Sequence, residues 1–318
     1  MSSRRDFIKY SALSASALTL NPSMLSAIES GEMLKRMIPS TGEELPAVGL
    51  GSSATFSSVA QSDDATGLKN VLTTLLDNAG TVFDTAPRYG GGAAEEVAGQ
   101  LVGELGARDK IFWATKMNVA GNDGGTADVE EARAQIEASF EIFGKTPIDC
   151  MQVHNLGDLK TQLPIVAELK QDGRVRYTGT TNTQPRRVGQ LLEVMRNEEL
   201  DFIGLDYAID NRLAEDELLP LAQERGIGVF VYAPFGRTRL WSRVKGVDLP
   251  EWAAEIGVNS WAQFFIKFVL AHPAVTVVTP ATTNPKNMLD NLGGGVGPLP
   301  DSAMQTRMAE FVDALPSA

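Results

Sequence analysis

The 318-residue chain contains one cysteine and two histidines. A single thiol, Cys150, excludes an intramolecular disulfide and any thiolate-rich metal site. Set in the apolar run 148–153, it reads as a small buried apolar side chain. His154 and His272 are too few for a histidine-built metal centre, and no metal is expected, although carboxylate-only sites stay open. Basic residues are also scarce: 28 against 40 acidic ones leave a formal charge of −12. That balance supplies no patch for neutralising phosphates, so no nucleic-acid partner is expected. What remains is an ordinary globular composition, 43% hydrophobic and 21% charged, long enough for one large core or two modest ones.

The amino terminus stands apart. Ser2-Ser3-Arg4-Arg5-Asp6-Phe7-Ile8-Lys9 places an arginine pair ahead of a moderately apolar stretch from 10 to 20, with Pro22 and small residues after it. This resembles a twin-arginine export signal. The apolar stretch is shorter than the ~20 residues a spanning helix needs and is rich in Ser and Ala, so it reads as a targeting segment and not a membrane anchor. Residues 1–27 are therefore assigned to the signal, with a small residue, Ala27, at the candidate cleavage point. The resemblance implies the twin-arginine machinery as a partner and a periplasmic or otherwise exported protein.

From 28 to 318 we expect a single domain. Short apolar runs alternate with longer segments of helical period, the pattern of βα units around a parallel sheet. Eight strand candidates lie at 47–51, 81–85, 111–115, 148–153, 175–180, 202–206, 228–232 and 274–279. Helix candidates between them include 94–105, 126–143, 159–171, 184–196, 214–225 and 260–271, and Asp172-Gly173 and Arg225-Gly226 supply glycine stops. Eight such units fill ~250 residues, the size of a (β/α)8 TIM barrel. Residues 33–48, turning at Ser40-Thr41-Gly42-Glu43, read as a β-hairpin closing the barrel bottom. The competing fold is a doubly wound sheet, because Gly49-Leu50-Gly51-Ser52-Ser53-Ala54 fits the loose dinucleotide fingerprint. Against it, no amphipathic helix follows at once, and position 69, where a ribose-binding acid would sit, is a lysine.

Polar residues at successive strand ends require explanation: Asp84 and then Tyr89 after Val82-Phe83, Lys116 after Phe112-Trp113-Ala114-Thr115, and His154 after Met151-Gln152-Val153. Singly they read as a helix N-cap, a loop aromatic, a solvated strand end and a core histidine. In a barrel, however, all four strand ends open onto one face. The blocks Phe83-Asp84-Thr85-Ala86-Pro87-Arg88-Tyr89-Gly90, Ala114-Thr115-Lys116 and Val153-His154-Asn155 resemble the consecutive active-site blocks of the aldo-keto reductase superfamily. The likeness runs from the hairpin to Asn291.

That resemblance implies an NAD(P)H-dependent oxidoreductase that reduces an aldehyde or ketone to an alcohol. Tyr89 would be the general acid, Lys116 would tune its phenol, Asp84 would keep the lysine charged, and His154 would orient the carbonyl. Gly179-Thr180-Thr181-Asn182 resembles the family block that holds the nicotinamide carboxamide through Thr181 and Asn182. The family's glutamine on the next strand is Gly204 here, so that contact is missing or supplied otherwise. Tyr232 matches the aromatic on which the nicotinamide stacks, and Arg237 either approaches the pyrophosphate or is surface charge. Thr282, Asn287 and Asn291, in the block from Thr279 to Asn291, fall at the adenosine end.

NADPH is the cofactor the resemblance favours, with NADH possible: Ala281, Thr283 and Asn287 stand where relatives carry a cation for the 2′-phosphate, and Lys286 is the cation nearby. A different class of function is a non-catalytic nicotinamide-nucleotide-binding redox sensor subunit, and a barrel hydrolase or isomerase is a further rival. The small-molecule carbonyl substrate is left open among aldehydes, quinones and sugar-like ketones.

Overall fold

The computed structural model describes residues 32–62, 64–120 and 125–316. The twin-arginine segment, 1–27, lies outside them. The described chain opens with an antiparallel hairpin, β1 (Lys35–Met37) and β2 (Glu44–Pro46), as the turn at 40–43 implied. Eight strands follow: β3 (Leu50–Gly51), β4 (Val82–Asp84), β5 (Phe112–Met117), β6 (Ile148–Val153), β7 (Val175–Asn182), β8 (Phe202–Asp206), β9 (Gly228–Tyr232) and β10 (Val275–Val278). They pair in sequence order, every neighbour parallel. Isolated bridges Val48–Val278 and Gly51–Ala281 join the last strand to the first, so the sheet closes into a (β/α)8 barrel. At this seam a Cβ on Gly51 would stand 2.5 Å from the Thr279 carbonyl oxygen, so close an approach that only glycine fits.

Strands of a parallel barrel are covered on both faces, and β5 and β6 are buried at every residue. Their outward side chains join the large core beneath the helices, which contains Trp113, Phe143, Phe264 and Phe265. The inward ones form a second cluster: Val82, Phe112, Ala114, Cys150, Tyr177, Phe202, Phe230 and Val277. Ile38 and Leu45 of the hairpin belong to that inner cluster, so β1 and β2 plug the end where the strands begin. Cys150 is wholly buried there, in the apolar role its neighbours indicated.

The helices are α1 (Thr55–Ala60), α2 (Thr66–Asp77), α3 (Ala93–Glu104), α4 (Val129–Phe143), α5 (Leu159–Gln171), α6 (Val188–Asn197), α7 (Leu218–Arg225), α8 (Arg239–Arg243), α9 (Trp261–Ala271), α10 (Pro285–Gly293) and α11 (Ser302–Asp313). Their ends follow local chemistry. Asp128 caps α4 by accepting the Glu131 N–H, and Gly144 stops it in the left-handed conformation. Ser260 caps α9 through the Gln263 N–H. The expected helices at 184–196 and 214–225 each open with a separate 3-10 turn, Pro185–Arg187 and Leu213–Glu215. The short helix α1, after Gly51, and α2 were not among the helices named from sequence. No helix of the described residues is long and apolar enough to cross a membrane.

Candidate active site

Above the aromatic layer the barrel interior turns polar. Lys116, on β5, is fully buried; its Nζ donates to Asp84 Oδ1 of β4 at 2.8 Å and to the Thr85 carbonyl at 2.7 Å. Burial penalises the lysine's charge, yet Asp84 and then Tyr89 more than offset this and hold the ammonium above its ordinary pKa. Asp84 is itself pushed up by burial, against the pull of Lys116 and of a hydrogen bond from Tyr232. Removing either partner would strand the other as a buried charge, which is far costlier than losing a surface ion pair.

Tyr89 sits on a 3-10 turn, Tyr89–Gly92, whose Gly90 and Gly91 take positive φ (60° and 64°). The Lys116 ammonium lies 5.2 Å from the Tyr89 ring centroid. Burial raises the phenol's pKa and Lys116 acts to lower it; the net direction is upward, so the group carries its proton at neutral pH. His154 packs edge-on against Tyr89, ring centroids 5.7 Å apart. Asn118 Nδ2 stands 2.8 Å from His154 Nδ1. An amide nitrogen only donates, so Nδ1 accepts and the ring proton resides on Nε2. Burial, with Lys116 and Arg88, drives the His154 pKa down to about 3, which leaves a neutral imidazole. The turn after it is strained, with Asn155 and Leu156 at φ of 51° and 55°. Arg187 holds it by donating to the carbonyls of Asn155 (2.5 Å) and Leu156 (2.9 Å).

The four strand-end residues thus converge. The other predicted positions are more dispersed. Thr181 accepts the Asn155 N–H at 2.8 Å and keeps its hydroxyl proton to donate. Asn182 is engaged with Gln184 through both ends of its amide, each at 3.0 Å. Arg237 is exposed but not unattached: it pairs with Asp206 at 2.7 Å, as Arg239 pairs with Asp210 at 3.1 Å. Thr282 is buried and its hydroxyl accepts the Asn284 N–H at 3.1 Å; Asn291 is buried on α10, and Asn287 is exposed on the same helix.

A cavity of about 380 Å³ is lined by Asn182, Gln184, Asp206, Asp210, Arg237 and Arg239, among others. Asp206 Oδ1 and Asp210 Oδ1 are buried in its wall with no hydrogen-bond partner. Two guanidiniums, each held by one carboxylate, and the two carboxylate oxygens left without partners make a lining that fits a dinucleotide: the acceptors suit ribose hydroxyls, and a guanidinium turned from its carboxylate suits a pyrophosphate.

Tyr232 has hydrogen-bond partners that the sequence did not indicate. Its ring is partly exposed at the mouth, but its hydroxyl reaches down to Asp84 Oδ2 at 3.2 Å and to Gln152 Nε2 at 3.3 Å. The space it enters is the one left by Gly204, where a Cβ would stand 2.5 Å from the Tyr232 Cε2 and Oη atoms. The position of the missing glutamine is therefore filled by a tyrosine from the next strand.

Sequence reasoning missed Asn118, Gln152 and Glu95. Strand alternation held the signal for the first two, since 118 follows 116, and 152 precedes 154, on the same face. Glu95 gave none. An acid in the first turn of α3 reads as a dipole partner, yet it is 1% exposed, accepts hydrogen bonds from Thr115 and from Ser139 (3.1 Å), and has its pKa raised by burial to about 7.

Comparison with known proteins gives concordant results. Residues 47–309 match the model of the Aldo/keto reductase family. An aldo-keto reductase of Gibberella moniliformis is 28% identical over 172 residues, 52% of this chain and 51% of that protein. An NADH-specific methylglyoxal reductase of Escherichia coli K12 is 28% identical over 172 residues, 48% and 52% of the two chains. These matches span about half the length of those curated relatives. Among solved structures, the holo form of a Bacillus halodurans aldo-keto reductase superposes with a TM-score of 0.72 at 21% identity, covering 90% of this chain and 98% of that one. A Klebsiella pneumoniae aldo-keto reductase in complex with NADPH gives 0.72 at 22%, covering 88% and 96%. At that identity the likeness speaks for the fold.

Proposed function

We propose, from the premise that this chain belongs to the aldo/keto reductase family, that it is an NAD(P)H-dependent oxidoreductase reducing an aldehyde or ketone to an alcohol. The observation that carries the reading is the buried Lys116–Asp84 pair beside a protonated Tyr89 and a neutral His154. The nicotinamide supplies the hydride when bound. Everything else falls to the chain. Tyr89 gives its proton to the carbonyl oxygen as that oxygen becomes negative, and the Lys116 ammonium stabilises the phenolate left behind. Asp84 keeps Lys116 charged in a dry site. His154 donates from Nε2 to the carbonyl and orients it, with Asn118 fixing the tautomer.

Thr181 would hold the carboxamide, the exposed face of Tyr232 would carry the ring, and Arg237 would turn to the pyrophosphate. Thr282, Asn287 and Asn291 would serve the adenosine end, where Lys286 is exposed and can meet a 2′-phosphate. NADPH is our first choice and NADH the second; the relatives include one protein named as NADH-specific and one solved with NADPH.

The test is turnover of an aldehyde and ketone panel with each nucleotide, by wild type and Tyr89→Phe. Loss of the general acid should lower kcat by about 10²-fold and leave nucleotide affinity nearly unchanged. Nucleotide binding without turnover on any carbonyl would replace the enzyme with a redox sensor subunit.

A further inference from the structure

In the polar layer, Asp84 has two oxygens to satisfy and little water to satisfy them. Lys116 takes Oδ1 at 2.8 Å. A second oxygen left bare at 3% residue exposure would favour the neutral acid and release the lysine. Tyr232 Oη lies 3.2 Å from that oxygen. Gln152 Nε2 donates to the same phenol oxygen at 3.3 Å, which occupies its acceptor side and leaves the phenol proton for Asp84. The Lys116 ammonium is 5.2 Å from both the Tyr89 and the Tyr232 ring centroids, so two aromatic faces enclose it.

None of this is available to a tyrosine confined to the mouth. The ring descends because position 204 has no side chain: a Cβ there would stand 2.5 Å from Cε2 and Oη and 2.7 Å from Cζ, atoms of a rigid ring that cannot bend aside. We propose that Tyr232 is a positioning residue of the reaction, its hydroxyl holding the second oxygen of Asp84 so that the carboxylate keeps Lys116 in place beneath Tyr89, with Gly204 as the space that admits it. This role rests on the reductase reading above and adds a task to the aromatic platform at the mouth.

The groups facing Asp84 are Lys116 from β5, Tyr232 from β9, Cys150 from β6 and Tyr89 from the turn after β4. Tyr232→Phe deletes one donor to the anion and keeps the ring. In the cofactor-free protein labelled with [4-13C]aspartate, with Asp84→Asn identifying the signal, the Asp84 midpoint should move up by about one pH unit in Tyr232→Phe. The acid limb of the kcat profile should move up with it, with kcat falling about tenfold and the Kd for NADPH staying within about twofold. Gly204→Ala, which evicts the ring, should move the Asp84 midpoint in the same direction. An unmoved midpoint in Tyr232→Phe overturns the proposal. A moved midpoint with an unmoved kinetic profile overturns the role in the reaction. A midpoint that moves in Tyr232→Phe, while the wild-type protein itself reduces no carbonyl, refutes the reductase reading and leaves the hold on Asp84 standing.

Discussion

Replacing Glu95 with glutamine should make the protein more stable at neutral pH and leave it little changed in acid. The carboxyl is buried behind β5, and its pKa rises from 4.5 to about 7 because burial outweighs the hydrogen bonds from Thr115 and Ser139 and the attraction of Lys116. A carboxyl with a raised pKa prefers its proton in the fold, so its contribution is complete below about pH 4.5 and is lost as pH climbs to 7. At about 1.4 kcal/mol per unit, the ionised form costs the native state about 3 kcal/mol above pH 7. Glutamine matches the protonated carboxyl in shape. Its oxygen still accepts from Thr115, and its amide can donate to the Ser139 hydroxyl. The stability difference between Glu95→Gln and wild type should therefore widen by about 1.4 kcal/mol per pH unit from 4.5 to 7 and then level off. Urea unfolding of both proteins at pH 5, 6, 7 and 8 reads this directly. A difference that stays constant across that range, or narrows, would refute the reasoning.

His154, with its pKa at about 3, should add no limb near pH 6.5 to the kcat/KM profile, and a midpoint there would contradict the neutral imidazole. Asn118→Ala, which frees the tautomer, should lower kcat/KM by about tenfold without unfolding the protein. For the segment 1–27 we propose export by the twin-arginine route. Arg4→Lys with Arg5→Lys should hold active enzyme in the cytoplasm on cell fractionation, and undiminished export of that double variant would end the proposal.

The barrel was legible because its strands are buried on both faces and read as apolar runs, while the helices between them show a 3.6-residue period and glycine stops. β7 and β5 run past their expected ends, to Asn182 and Met117, because polar residues face a site there instead of marking a turn. The same logic made Asp84, Lys116 and His154 visible as polar breaks at strand ends. What Gly204 does stayed open in the sequence for a physical reason. A glycine in a strand looks like a lost contact, but whether the gap is vacant or filled depends on a residue 28 positions away on the neighbouring strand, and the register that places Asp206 beside Tyr232 is a tertiary property. Arg187, whose clamp on the turn after His154 comes from another helix entry, has no local signature at all.

The aromatic layer below Asp84 and Lys116 makes the barrel a blind well. Phe112, Tyr177, Phe202 and Phe230 fill its shaft, and Ile38 and Leu45 stopper the lower end. With the lower end filled, a molecule seated at the mouth above the ion pair is also a cork. Once in place it removes the last high-dielectric medium near Asp84, Lys116 and Tyr89 and strengthens every interaction among them. If Tyr89 is the proton donor proposed above, the proton it spends at the bottom of such a well is replaced only after the cork is drawn, which ties its refilling to the departure of the product.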